Sequence, residues 1–571
     1  MHDLVVKNGT LVDGTGDAAR PADVAIDDGV ITEVGADVGS GRQTIDADGL
    51  TVTPGFVDVH THYDGQLTWD PTLTPSCWHG VTTAVMGNCG VGFAPVRPDQ
   101  HDYLIGLMEG VEDIPGAALS AGIQWGWETF PEYLDAIDRL PKALDVGTQI
   151  PHGSVRVYVM GERGAKNQPA TADDIDAMAV IVGQAIDAGA LGLSTSRTIA
   201  HMAIDGEPVP GTFAAEDELF GLGRVLGDRD TAVFELAPAG ALGEDLAAPE
   251  LEMAWMRKLS AAIGRPITFA LTQNDHDPDA WRDMLRLAGD AVAEGARIRP
   301  QVAGRPVTLL LGLQTFHPFA YAPEWGSLAI LPLPERVARM RDPDLKARLV
   351  QAAWSLDGSM VQFVDPAKSF PLGDPPVYEP DPADSIVARA AREGREVFDL
   401  YYELLLGDEG RALVMRPLLN FSNQNLDPVR EMLMHPTSAW GLGDGGAHCG
   451  TTCDASTPTF MLTHWVRDRV GDRLPLEWVV HKMTAETAAL YGLGDRGAVR
   501  PGMKGDLNVL DLGGMQLHAP EMVYDLPGDA RRFTQKADGY VATVVSGEIT
   551  MEQGRETGAR PGQLVRGARQ A

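Results

Sequence analysis

Cysteine is scarce in this chain, and so is positive charge. Only four cysteines, Cys77, Cys89, Cys449 and Cys453, occur in 571 residues. They are too few and too unevenly placed for a disulfide framework, so each is expected to be buried or to act as a ligand. Lysine and arginine total 46 against 80 aspartates and glutamates, a formal net charge of −34. Such an acidic chain repels phosphate backbones and anionic lipid, which argues against nucleic acid and membrane surfaces as partners. Apolar runs approaching the ~18 residues of a membrane span are also missing. The start, Met1-His2-Asp3-Leu4, lacks the basic opening and apolar stretch of a secretory signal, so a cytoplasmic location is expected. No internal repeat is visible.

What is present is enough for a large core: 44% of the residues are apolar and 22% charged, the usual mix of soluble globular proteins. The first fifty residues read as short strands with tight turns, for example Val24 to Ile26 and Val30 to Val34 around Asp27-Asp28-Gly29, the Asp-Gly hairpin signal. Asp506 to Leu512 and the pair Val541 to Val545 and Ile549 to Met551 repeat the style at the far end. Each end is too small to bury a two-sided sheet alone, so both are expected to pack into one β-sandwich.

Between them, short apolar strands alternate with helical stretches, the pattern of a parallel α/β sheet or barrel. The strands are expected at Phe56 to Val59, Thr82 to Met86, Val146 to Ile150, Leu191 to Ser194, Ala232 to Leu236, Ile267 to Leu271 and Trp440 to Leu442. Ile298 to Val302 and Leu418 to Phe421 both qualify as the seventh; whichever is excluded belongs to an insertion that includes the Pro-rich Phe370 to Pro382 and a helical segment from Ser385 to about Leu405. The expected fold is a (β/α)8 TIM barrel over residues 54–490, with an insertion at about 303–412, and a β-sandwich from residues 1–53 and 491–571.

Three pieces can carry chemistry. His60 and His62 follow an apolar strand one residue apart; side chains at i and i+2 point the same way, so both imidazoles can bind one metal ion. Cys89, in Gly87-Asn88-Cys89-Gly90, follows the second strand and could lie beside that pair as a thiolate, or be an inert buried cysteine. Asp444, in Gly443-Asp444-Gly445-Gly446, suits a metal-bound general base, although an Asp in a Gly-rich turn is also ordinary turn chemistry.

Together these resemble the amidohydrolase superfamily, and most closely its branch of N-acyl-D-amino-acid deacylases, the D-aminoacylases. The resemblance runs from Thr53-Pro54-Gly55-Phe56-Val57-Asp58-Val59-His60-Thr61-His62 through Gly80-Val81-Thr82-Thr83, Gly87-Asn88-Cys89-Gly90, His152-Gly153, Gly189-Ala190-Leu191-Gly192-Leu193-Ser194 and Asp444-Gly445-Gly446. It ends with Thr484-Ala485-Glu486-Thr487-Ala488 and Arg500-Pro501-Gly502-Met503-Lys504-Gly505. It implies that His60, His62 and Asp444 bind one metal, with Asp444 as the catalytic base, and that Cys89 belongs to a second site completed in the family by histidines after strands five and six. Here those positions read Val233-Phe234-Glu235-Leu236-Ala237, which puts Glu235 at the ligand position, and Leu271-Thr272-Gln273-Asn274, which lacks both the histidine and the lysine that holds the substrate's carboxylate in the family. His276 is either a displaced ligand or a solvated loop histidine.

The expectation is a metal-dependent hydrolase of an amide-type C–N bond in a small molecule, with N-acyl amino acids the first substrate class. Cyclic amides, esters, lactones and activated C–C bonds stay open, as does a non-catalytic scaffold, which the retention of His60, His62 and Asp444 disfavours. Zn²⁺ is the expected ion, with one tight site and a second left open. His152 and His448 are candidates for contacting substrate or supporting a ligand. Arg197 is either an anion-binding group or an ion pair, and His448-Cys449 with Cys453 lacks the four ligands of a structural zinc site. Homo-oligomerisation is left open.

Overall fold

The computed structural model describes all residues except 230–231, 246–247, 357–358 and 568–571, so two positions of the expected insertion and the last four of the C-terminal unit lie outside the described residues. Alternating apolar residues at the N-terminus produce the antiparallel strands His2–Leu11, Arg20–Asp27 and Val30–Gly35. Asp28 and Gly29 both take positive φ, 49° and 77°, as the two-residue turn requires. Ser546 and Gly547 repeat the device between Tyr540–Val545 and Glu548–Glu552. Leu507–Leu510 pairs with Thr51–Pro54 on one side and Tyr540–Val545 on the other, so both ends of the chain enter one nine-stranded sheet. Leu4, Val24, Ile26, Val52, Val509 and Val544 bury one face together, apolar area that neither end could cover alone.

Eight parallel strands follow: β1 (Phe56–Asp58), β2 (Val81–Met86), β3 (Asp145–Thr148, resuming at Ile150–Pro151), β4 (Gly192–Ser196), β5 (Val233–Ala237), β6 (Ile267–Ala270), β7 (Ile298–Val302) and β8 (Ala439–Trp440). Each pairs with the next. The chain beyond β8 returns to the chain beyond β1: the Asp444 N–H donates to the His60 carbonyl at 2.9 Å and the His62 N–H to the Gly445 carbonyl at 2.7 Å. The carboxyl ends of the first and last strands therefore meet.

The seventh strand is Ile298–Val302. Val414–Leu419 instead pairs antiparallel with Val307–Leu311 and Phe370–Pro371 in a separate three-stranded sheet. That sheet belongs to an insertion with its own core, including Leu313, Phe319, Val337, Tyr401 and Tyr402. The helical segment expected from Ser385 is two helices, Ile386–Glu393 and Val397–Leu405, because Gly394 takes φ 66° and ends the first. The insertion reaches the loop after β8 through the Leu310 N–H on the Thr451 carbonyl (2.8 Å) and the Thr315 hydroxyl on the Gly450 carbonyl (2.6 Å). No helix among the described residues is long and apolar enough to cross a membrane.

Candidate active site

β1 ends at Asp58, whose carboxylate accepts the His60 N–H at 3.1 Å and fixes the exit of the strand. His60 and His62 are both buried, with ring centroids 5.4 Å apart. In each ring Nδ1 faces an acceptor: His60 Nδ1 lies 3.0 Å from Gln301 Oε1 on β7, and His62 Nδ1 lies 3.3 Å from Glu112 Oε1 at the end of helix α1 (His101–Glu112). With Nδ1 of His60 hydrogen-bonded to Gln301 and Nδ1 of His62 turned toward Glu112, Nε2 is the atom each ring offers to a ligand site. His60 Nε2 lies 3.4 Å from both Cys89 Sγ and Asp444 Oδ1, and His62 Nε2 lies 3.8 Å from the same Asp444 oxygen. Donor atoms of His60, His62 and Cys89 fall within 4.8 Å of one another, the one such group found among the described residues.

Tight backbone makes this convergence fit. Cys89 takes φ 56°, and its N–H donates to Glu235 Oε2 at 2.9 Å. Asp444 also takes positive φ (45°). A Cβ on the preceding Gly443 would stand 2.3 Å from Asp58 Oδ2, so only glycine lets the β8 loop come this close to β1.

The electrostatics call for a cation. Burial pushes the carboxyls of Asp58, Asp64 and Asp444 up to about 7 and that of Glu235 to about 8; for Asp444, His448 opposes and Asp454 adds to the rise. Glu112 is raised as well, by burial first and then by neighbouring carboxylates. Burial lowers His60 to about 4 and holds His62 well below the usual imidazole range. Among the described residues none of these five carboxylates pairs with a lysine or arginine. Asp58 Oδ2, Glu112 Oε1 and Glu235 Oε1 are buried without a hydrogen-bond partner. Buried charges of one sign are costly unless compensated. Two imidazoles, a thiol and a carboxylate are a donor set that fits a divalent ion such as zinc, which would favour the ionised carboxylates.

The remaining predicted residues divide. His448 stands at the rim, a third exposed, with Nε2 3.8 Å from Glu112 Oε2. His152 is buried with both nitrogens engaged, at 2.9 Å from Thr195 Oγ1 and 2.9 Å from Glu218 Oε1, which also binds Arg156; it braces β4 rather than facing the cluster. Arg197 is spent on Glu252 (3.1 Å) and on the carbonyls of Thr212 and Ala214. Of its two expected readings this is the ion pair, with the guanidinium pinning the loop after β4. Glu235 lies 3.8 Å from His60 on the Nδ1 side. Asn274 Oδ1 accepts the backbone N–H of His276 in a turn outside the cluster. Cys449 and Cys453 are buried against the Gly446 and Phe533 carbonyls. Sequence reasoning missed Gln301, Glu112 and His201, whose Nδ1 is 3.1 Å from Ser196 Oγ. A glutamine one residue before the carboxyl end of a candidate barrel strand was the available signal for the first; the other two owe their place to tertiary packing.

Comparison with known proteins agrees with this geometry. The amidohydrolase family model matches residues 43–353 and 380–551. An N-acyl-D-aspartate deacylase of Alcaligenes xylosoxydans xylosoxydans is 27% identical, with 99% of this chain and 95% of the relative covered. A D-aminoacylase structure described for its binuclear metal centre superposes with a TM-score of 0.66 at 24% identity, covering 99% of this chain and all of the other. The N-acyl-D-glutamate deacylase of Bordetella bronchiseptica, complexed with zinc and a phosphonate mimic of the tetrahedral intermediate, gives 0.65 at 22% identity over 99% of both chains. The chain belongs to the amidohydrolase family. It is a metal-dependent hydrolase of carbon–nitrogen bonds.

Proposed function

We propose that the eight parallel strands form a (β/α)8 barrel, that the two chain ends form its β-sandwich partner, and that the carboxyl ends of the strands hydrolyse an amide-type C–N bond of a small molecule. N-acyl amino acids are the first substrate class, on the strength of the deacylase relative. The observation that carries the reading is the approach of one Asp444 oxygen to Nε2 of both His60 and His62, at 3.4 and 3.8 Å.

His60, His62 and Asp444 would hold the divalent ion, Zn²⁺ being the first choice, with Cys89 as a further ligand. Bound there, it supplies Lewis acidity that polarises a carbonyl and acidifies water. Asp444 accepts the proton of the attacking water and delivers it to the leaving nitrogen. Gln301 fixes the orientation of the His60 ring, and Glu235 holds the Cys89 turn. Hydrolysis across a panel of N-acyl D- and L-amino acids, cyclic amides, esters and lactones tests the reading. Activity should disappear on chelation and return with Zn²⁺; no turnover of any panel member by the metal-loaded protein overturns it.

A further inference from the structure

Helix α1 ends in two consecutive acidic residues that grip different parts of the site. Glu112 is 2% exposed. Its Oε1 and His62 Nδ1 lie 3.3 Å apart, an ion-pair contact, and neither buried atom has a hydrogen-bond partner. Its Oε2 lies 3.8 Å from His448 Nε2, and its backbone carbonyl accepts the His448 N–H. Asp113 then takes the left-handed conformation, φ 51°. That bend turns its carboxylate onto the loop after β8, where Oδ2 accepts the Gly450 N–H at 3.2 Å and the Thr451 hydroxyl at 3.0 Å. The helix is itself wedged against the loop after β4: a Cβ on Gly110 would meet the Met202 carbonyl oxygen at 2.4 Å, and Ile204 donates to the Gly106 carbonyl.

We infer that the carboxyl end of α1 is the positioning device of this site, with Glu112 setting the ring and tautomer of His62 and Asp113 setting the loop that carries Asp444. The inference rests on the reading of His62 as a metal ligand. An acceptor opposite Nδ1 keeps the proton on that nitrogen and leaves Nε2 free to ligate. The same helix end ties a ligand from β1 to the base from β8, adding to the backbone hydrogen bonds beyond the strand ends and the approach of Asp444 to both imidazoles. Glu112 and Asp113 act through other residues and are not catalytic themselves.

Binding of Zn²⁺ and Co²⁺ to metal-free protein, with the visible spectrum of the Co²⁺ form, separates the roles. Glu112→Leu should raise the Kd for both ions about 10–100-fold and shift the Co²⁺ bands. Glu112→Gln, which keeps an oxygen opposite Nδ1, should return to within about threefold of wild type. Asp113→Ala should lower kcat roughly tenfold and shift the Co²⁺ bands, with a smaller loss of metal affinity than Glu112→Leu, because Asp444, a ligand as well as the base, is no longer held in register. His62→Ala is the control: wild-type metal affinity there refutes the ligand reading itself. If His62→Ala loses metal but folded Glu112→Leu binds and absorbs like wild type, the inference about Glu112 is overturned. Should Glu112→Leu fail to fold, the tests pass to the other two variants: weakening in Glu112→Gln well beyond threefold, or an unchanged kcat in Asp113→Ala, overturns the inference.

Discussion

The backbone N–H of Cys89 donates to Glu235 Oε2 at 2.9 Å. This carboxylate occupies the β5 position where related enzymes would place a histidine ligand, yet it holds the left-handed turn that presents the Cys89 thiol. Its other oxygen lies 3.8 Å from His60 Nδ1, the nitrogen already engaged by Gln301, and not beside Nε2. Glu235→Gln should therefore keep about one equivalent of tightly bound metal, since catalytic zinc needs three protein ligands and those are elsewhere. Its kcat/KM should fall about tenfold as the Cys89 turn loosens, a change of ~1.4 kcal/mol. Elemental analysis after extensive dialysis decides: two metals per wild-type chain, one of them lost in the variant, would make Glu235 a ligand.

Asp444→Asn should lower kcat/KM by about 10²–10⁴, the usual share of a general base, with little change in melting temperature. The amide keeps the size of the side chain and the Gly443 approach to Asp58, but it cannot accept the proton of water. Steady-state kinetics on the metal-loaded variant make the comparison, and retention of more than a tenth of the wild-type value sinks the base assignment.

The periodicities that make strands were legible in the sequence, and so were the residues whose chemistry is local. His60 and His62 lie one residue apart on one strand exit, and Asp28-Gly29 names its own turn. The seventh strand was ambiguous because Ile298 to Val302 and Leu418 to Phe421 are both short enough and apolar enough at their ends to be strands; only pairing distinguishes a parallel neighbour of β6 from the antiparallel insertion strand Val414–Leu419 that Leu418 and Leu419 join. The insertion's second helix was hidden by a single glycine, Gly394, which ends the first helix in the left-handed conformation. Glu112 was illegible for a deeper reason: it is 50 positions from His62, at the end of a helix whose placement is decided by its seat against the β4 loop. The ion pair weighed for Arg197 had no legible partner, because Glu252 lies 55 positions on, in a helix.

Alkylation should report on Cys89. Without metal, burial and the neighbouring Glu235, Glu112 and Asp444 carboxylates push its thiol up, so the thiolate is disfavoured. A ligating sulfur is deprotonated by its ion and shielded from reagent. The expected result is slow labelling of Cys89 in both forms under native conditions, but in mild denaturant full protection with metal and labelling after chelation. Mass spectrometry of the Cys89 peptide measures it, with buried Cys77 as the internal reference. Equal labelling in the two forms would return Cys89 to a packing role.

Metal-free protein should lose thermal stability as the pH rises from about 6.5 to about 8, and bound metal should remove that slope. Folded Asp58, Asp64 and Asp444 titrate near 7 and Glu235 near 8, against ordinary values of 3.8 and 4.5. The unfolded chain has released these protons by about pH 5 while the folded chain still holds them. Stability from these groups is therefore complete below their unfolded pKa values and is lost as the pH rises through 7 and 8. His60 and His62 work in the opposite direction, because both are lowered from 6.5 in the fold. They add stability as the pH climbs to that value and contribute no further slope beyond it, so up to about pH 8 the carboxyls set the slope, and the buried thiols, also raised, add to the loss only above that. A divalent ion favours the ionised carboxylates and so abolishes their excess protons. Melting temperatures across the window, with chelator and with Zn²⁺, provide the measurement; a flat or rising curve in chelator would show that these carboxyls are not protonated in the metal-free fold.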